Sequence, residues 1–229
     1  ETVPEYMDSL ERSPLGVNCI QYMPTASLMT YVMGLEKAKA GEPASAAEKA
    51  EMKRILAEGM DAGLCGFSIQ RLGENSVQGD YDGTPMVTDI MHDEDILALA
   101  EVLAERDEGF IQITQGSGDI KADLAFLEKL AAVAKRPILH NAVAPSRKNP
   151  EVHRRPLRWV DKCREQGLPI YAQCGTGRAG FAFTLEHWNL YDASPAWRAI
   201  TTGTKEERIA KMQDPELRRA LIDEAEEAD

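Results

Sequence analysis

The sequence predicts an α/β fold of one kind, part of a TIM-like (β/α) barrel with parallel strands, on three observations. Short apolar runs bounded by Gly or Pro alternate with stretches of helical period. The runs begin at intervals a βαβ crossover can span, and polar residues recur where they end.

Five runs read as strands: residues 17–23, 64–70, 110–115, 137–143 and 169–174, each rich in Ile, Val, Leu or Phe. Their starts lie 47, 46, 27 and 32 residues apart, and a right-handed crossover between parallel strands needs about 30. Between them, Ser45 and Glu48 are spaced as a capping box ahead of Met52, Ile55, Leu56 and Met60, which share one helical face. Ile96, Leu99, Ala100 and Leu103 repeat the pattern, as do Leu124, Leu127, Ala131 and Ala134 behind the candidate cap Asp119. Pro156 suits a first helical position and Gly167 the residue past a helix end. Beyond Trp188 the alternation gives way to a loop containing Trp197, then to helix at 205–212 and 215–227.

The 229 residues are expected to form a single domain, yet a closed eight-unit barrel takes about 250 residues. Glu1 in place of Met and the acidic run at 223–229 add to the expectation that this is a piece of a longer protein. A net charge of −12 and a pI near 4.9 disfavour nucleic acid and anionic membranes as partners. Arg147, Lys148, Arg154, Arg155 and Arg158 form a basic cluster without interleaved aromatics, which reads as a solvated loop and helix start. No apolar run approaches about 18 residues and no signal peptide opens the chain, so a cytoplasmic location is expected. Cys19, Cys65, Cys163 and Cys174 form no CxxC pair and are expected as reduced, mostly buried thiols.

Chemistry on a parallel sheet gathers at the carboxyl ends of its strands. Those ends carry Gln21, Gln70, Gln115, His140 with Asn141, and Gln173 with Cys174, where a buried strand otherwise prefers apolar residues. The set predicts a polar pocket for a small-molecule substrate, although any single Gln can equally be an amide satisfied by backbone. The Gly-containing loop at 71–91 follows the second strand and reads as a substrate lid or as disorder, and His92 behind it as a surface or capping residue. Gly175, Gly177 and Gly180 satisfy GxGxxG, but on the fifth strand, with no acidic strand end about 20 residues on. Cys174 and Arg178 stand too close for a phosphatase loop that wraps a phosphate. Arg178 reads either as a fork for a substrate carboxylate or as a surface salt bridge. The four His form neither HxH nor HExxH, and only His140 sits at a strand end.

Several segments resemble the D-aminoacylase, or N-acyl-D-amino-acid deacylase, branch of the amidohydrolase superfamily. EGMDAGLCGFS at 58–68 resembles its EAGALGLS segment, and 92–109 its DELLALARVLAERGG helix. Residues 110–119 are similar to its YATHxRxEGD strand, 137–143 to VQISHLKA and 167–173 to GLxVxAQ, while RIAKMQDPELRRALIDE is similar to its RLxDPExRARI helix. The resemblance implies a metal-dependent hydrolase acting on C–N amide bonds of N-acyl amino acids, with zinc activating water. It places His140 on one mid-barrel histidine ligand and Gln115, a neutral amide, on the other. The remaining zinc ligands and the catalytic Asp would lie outside residues 1–229. Stoichiometric zinc and amide hydrolysis are therefore not expected of this chain alone; self-association through exposed sheet edges, or coverage of those edges by the chain's own C-terminal helices, is. Gln70, Gln115, Asn141, Gln173 and Arg178 are the substrate-binding candidates, and His140 the metal candidate. The rival reading is a non-catalytic binding or assembly module that kept the barrel and lost the metal site.

Overall fold

A computed structural model describes residues 2–74, 76, 78–80, 82–144, 149–175, 184 and 194–228. The chain begins with α1 (Val3–Glu11), then β1 (Met23–Pro24), α2 (Thr25–Met33), α3 (Leu35–Lys39) and α4 (Ala46–Asp61). Four further strands follow, β2 (Gly66–Arg71), β3 (Phe110–Gln115), β4 (Ile138–Asn141) and β5 (Ile170–Gln173). They are joined by α5 (Asp93–Arg106), α6 (Ile120–Ala134) and α7 (Arg154–Glu165), and α8 (Pro195–Thr201), α9 (Lys205–Gln213) and α10 (Pro215–Ala228) complete the described chain.

The strands form one parallel sheet in the order β1-β2-β3-β4-β5. A doubly wound fold reverses strand order at a switch point; an unreversed order with right-handed crossovers puts the helices that connect consecutive strands on the same face. The register fixes which residues share a face, because aligned residues of parallel strands point the same way. Phe67, Ile69, Ile111, Ile113, Ile138 and Ile170 lie on one face and are buried. They share a core with Leu56, Met60, Leu99, Leu103, Leu127, Leu130, Trp159 and Cys163 of the helices. Six large side chains buried at about 1.5–3 kcal/mol each make this face the main stabilising contact. The opposite face carries Ser68, Gln70, Gln112, Thr114, Leu139, Asn141, Tyr171 and Gln173, none of them buried. Helices on one side and an uncovered polar side make this an arc of a parallel (β/α) barrel.

Several expectations hold at the level of single hydrogen bonds. Ser45 and Glu48 form the capping box of α4, and Asp119 accepts from Lys121 N and Ala122 N at 3.0 Å each. Gly167 follows the α7 cap Gln166 with φ +77°. Other expectations are corrected. The first strand shrinks from 17–23 to Met23–Pro24: residues 17–20 are all exposed, Val17 at 74% and Ile20 at 66%, and contact with the sheet begins only at Gln21, whose carbonyl accepts from Cys65 N. Met23 and Pro24 pair only with β2, and a short edge strand bearing a Pro offers few free N–H groups to another chain. Pro156 is the third rather than the first residue of α7, a place where its missing N–H still costs nothing. Trp197 belongs to a helix, α8, capped by Ser194, rather than to a loop. Of the free thiols Cys163 is buried, Cys65 half-buried, and Cys19 and Cys174 exposed. Arg154, Arg155 and Arg158 are exposed on α7, and Arg147 and Lys148 lie outside the described residues. Among the described residues no helix is long and apolar enough to cross a membrane.

Gly66 starts β2 at φ +125°, where a Cβ would collide with the Phe110 carbonyl oxygen of the neighbouring strand. Gly66→Ala is expected to destabilise the fold by about 3 kcal/mol or more. A thermal melt within a degree or two of the parent would contradict the close approach of β2 to β3.

Candidate functional site

The carboxyl ends of β2 to β5 lie side by side, and alternation divides their polar residues between two surroundings. Gln70, Thr114, Asn141 and Gln173 are aligned across four strands and share the uncovered face. Arg71 and Gln115 are aligned one residue further on, and His140 pairs with Ile113, so these three belong to the helix-covered face.

Side-chain partners agree with that division. Arg71 pairs with Asp93 of α5 at 2.5 Å and stacks 4.5 Å over the ring of Phe126 on α6. The Gln115 Nε2 donates to Asp123 Oδ1 of α6 at 2.6 Å, while its Oε1 is buried without a partner. Asp123 also accepts from Ser117 N at 3.0 Å and Ser117 Oγ at 2.7 Å, which ties the β3–α6 turn to the helix start. His140 is buried edge-on to Trp159 of α7 at 6.1 Å between ring centroids, and its Nδ1 has no hydrogen-bond partner. Trp159 Nε1 in turn donates to Glu128 at 2.7 Å. The neighbouring thiol of Cys163 is pushed up to about 11 by burial and by the charge of Glu128.

On the uncovered face, Asn141 Nδ2 donates to Thr114 Oγ1 at 3.1 Å. Gln70 Nε2 donates to Asp89 at 3.3 Å, leaving its carbonyl oxygen as an acceptor. Gln173 is exposed at the end of the row. The row is neutral, with amide donors and acceptors and one hydroxyl at the strand spacing of about 4.8 Å. Such a surface can hold a planar polar group by several hydrogen bonds.

Asp89 sets the shape of the segment after β2. It is buried and accepts from Leu72 N at 2.8 Å, from Gln70 and from the Ser76 side chain. Burial raises its carboxyl above the ordinary range, and those hydrogen bonds pull the other way. Ser76, Val87, Thr88 and Met91 are buried with it. The segment read as a lid or as disorder is therefore fastened, over its described residues, to the sheet end by a carboxylate. His92 is the N-cap residue of α5 and binds Gly41 O through Nε2 at 2.8 Å.

The residues expected to converge on one pocket are thus split. Gln70, Asn141 and Gln173 come together, with Thr114 added. Gln115 and His140 turn to the helices. Gln21 lies at the opposite end of the sheet, where its carbonyl accepts from Cys65 N ahead of β2. Arg178, Gly177 and Gly180 lie outside the described residues. Thr114, Asp89 and Asp123 were missed. The Ile111-x-Ile113-x-Gln115 alternation was the available signal, since it assigns Gln115 to the apolar face.

Two expectations follow. Asp89→Ala leaves the Leu72 N–H and the Gln70 amide without their acceptor, so it should cost about 1–3 kcal/mol and speed hydrogen exchange selectively in the 72–91 segment. Uniform exchange changes would contradict the fastening role. Burial lowers the His140 imidazole from its ordinary 6.5, with the Asp123 charge opposing. A depressed imidazole means the unfolded chain binds protons more readily, so stability should be present above 6.5 and fall as pH drops below it. Urea unfolding between pH 8 and 5.5 should show this loss, and His140→Phe should reduce it. A raised Asp89 carboxyl works in the opposite sense, favouring the folded state toward low pH.

No protein-family model and no curated protein matches the chain. Solved structures do match in fold. N-acyl-D-glutamate deacylase from Bordetella bronchiseptica, solved with zinc and a phosphonate inhibitor mimicking the tetrahedral intermediate, aligns over 75% of this chain at TM-score 0.57 and 19% identity. A D-aminoacylase described as defining a subset of amidohydrolases aligns over 78% at TM-score 0.61 and 15% identity. Another D-aminoacylase structure, described by its binuclear metal centre, aligns over 76% at TM-score 0.60 and 14% identity. The chain covers 33%, 35% and 33% of those proteins respectively. It therefore spans about a third of their length, and over some three quarters of its own it has the fold of the D-aminoacylase type of amidohydrolase.

Proposed function

We propose that this chain is the substrate-holding arc of an amidohydrolase-like protein directed at C–N amide bonds of N-acyl amino acids or related compounds. The observation that carries the reading is the neutral row Gln70, Thr114, Asn141 and Gln173 at the carboxyl end of an arc with the D-aminoacylase fold. An acyl amide presents one N–H and one carbonyl. The Gln70 carbonyl can accept from that N–H, while the Thr114 hydroxyl and the free Asn141 amide hydrogen can donate to that carbonyl. Neighbouring strands hold these groups at a spacing one amide and an adjacent carboxylate can bridge.

The family's zinc does not fit the residues of this arc. Asp123 already accepts from Gln115 and Ser117, His140 is enclosed between sheet and α7, and both belong to the helix side. Among the described residues no three His, Cys, Asp or Glu side chains gather as a metal site. A neutral row equally suits the rival reading, a binding or assembly module that kept the barrel and holds its ligand without cleaving it.

Titration calorimetry with N-acetyl-D-amino acids tests the reading. Saturable binding is expected, weakened about 5–10-fold by Gln70→Leu and again by Asn141→Leu, as loss of one or two hydrogen bonds implies. Binding indifferent to both substitutions would remove the row as the site. The chain alone is expected to release zinc on dialysis and to leave the amides intact; one tightly held zinc per chain, lost in His140→Ala, would restore a metal role for this arc.

A further inference from the structure

A cavity lined by none of the four residues of the polar row has no part in the proposed function and does not depend on it. It measures about 710 Å³ and lies between α1, β1, α2 and α4 at the free edge of the sheet. Pockets of about 300–1,000 Å³ are the size that holds small organic ligands. Its floor is core: Met23, Leu28 and Leu64 are buried beneath it, and Ile55 lines one side. Its uncharged polar groups are hydroxyls and an amide, among them those of Ser27, Ser68, Tyr22 and Gln21.

The charges at the cavity decide what it suits. Arg54 and Glu58, the two charged residues that line it, pair with each other at 2.8 Å, and Glu51, outside the lining, also holds Arg54 at 2.8 Å. An anionic ligand would have to displace those carboxylates, and a cationic ligand would compete with the guanidinium for them. An uncharged ligand meets neither cost. Apolar floor, hydroxyl walls and a lining whose two charges are paired with each other together suit a neutral molecule with an apolar body and one hydrogen-bonding group.

One wall can respond to an occupant. No described residue of α1 is buried, and the helix rests on α4 and the turn after it, where Gly59 and Gly63 leave room for Val3 and Met7. A hydrogen bond of 3.3 Å from the Tyr6 hydroxyl to Gln21 Oε1 also holds it. A helix with so little burial sits at the low end of local stability, and a ligand packed beneath it would add contacts it lacks.

We propose that the cavity bounded by α1, β1, α2 and α4 is a binding site for an uncharged, largely apolar small molecule, and that α1 tightens over it when it fills. The test uses the neutral fluorophore N-phenyl-1-naphthylamine with the full chain. Saturable enhancement at one probe per chain is expected, together with slower hydrogen exchange in residues 3–11. Ser27→Trp, which places an indole in the cavity from an exposed position on α2, should weaken the probe at least tenfold while far-ultraviolet circular dichroism stays native. Lys129→Trp, an equally bulky change at an exposed position of α6 that does not line the cavity, should bind as the parent does. Sedimentation of the parent and of Ser27→Trp identifies a competing occupant: a parent dimer that Ser27→Trp dissociates would mean a second copy fills the cavity, and would overturn the proposal. Absence of saturable binding, or binding unchanged in a folded Ser27→Trp, would overturn it as well.

Discussion

Everything in this chain depends on the strict alternation of side chains across a parallel sheet that is covered by helices on one face only. The covered face must be apolar, and Phe67, Ile69, Ile111, Ile113, Ile138 and Ile170 make it so. Every polar group that alternation delivers to that face then needs a partner from a helix. Arg71 finds Asp93, Gln115 finds Asp123, and His140 meets only the edge of Trp159. The unpartnered His140 Nδ1 and Gln115 Oε1 show where this requirement is incompletely met. The uncovered face carries no such obligation, and there the same strand ends present amides and a hydroxyl with hydrogen-bonding capacity left over.

Buried carboxylates fasten what the sheet leaves loose. Asp89 ties the segment after β2 to the end of that strand, and Asp123 ties the β3–α6 turn to the first turn of its helix. Asp95 joins the starts of α5 and α4, accepting from Ala44 N at 3.0 Å and pairing with Lys49 at 2.9 Å. Each acid lies near the start of a helix or the end of the loop before one, where backbone N–H groups are in surplus and negative charge is favoured. The polar row thus stands beside loops of defined shape, which limits the ordering cost of binding.

The barrel architecture was legible because period and spacing are properties of the chain itself. Apolar runs, crossover lengths and the capping pair Ser45 and Glu48 required no knowledge of neighbours. Thr2 with Glu5 and Thr204 with Glu207 carried the same signal for α1 and α9 and form the same boxes. The first strand was misjudged because Val17 and Ile20 look like strand residues only if something lies against them, and the fold leaves them exposed. The site was half legible. Polar strand ends were visible, but which of them share a face depends on register. Reading the last residue of each run merged Gln115 and His140 with Gln70 and Asn141, from which alternation separates them. Asp89 and Asp123 are ordinary loop and helix acids in the sequence, and only packing makes them structural.

The division of strand-end residues between two faces can be measured without any ligand. In a background with the exposed Cys19 and Cys174 changed to Ser, single cysteines introduced by Thr114→Cys, Asn141→Cys, Gln115→Cys and His140→Cys would be labelled with a maleimide in the folded state. The first two should react at rates approaching those of an exposed thiol, and the last two far more slowly, limited by local opening of α6 or α7. Fast labelling by Gln115→Cys and His140→Cys, with Thr114→Cys and Asn141→Cys protected, would mean the faces are reversed and the account is wrong.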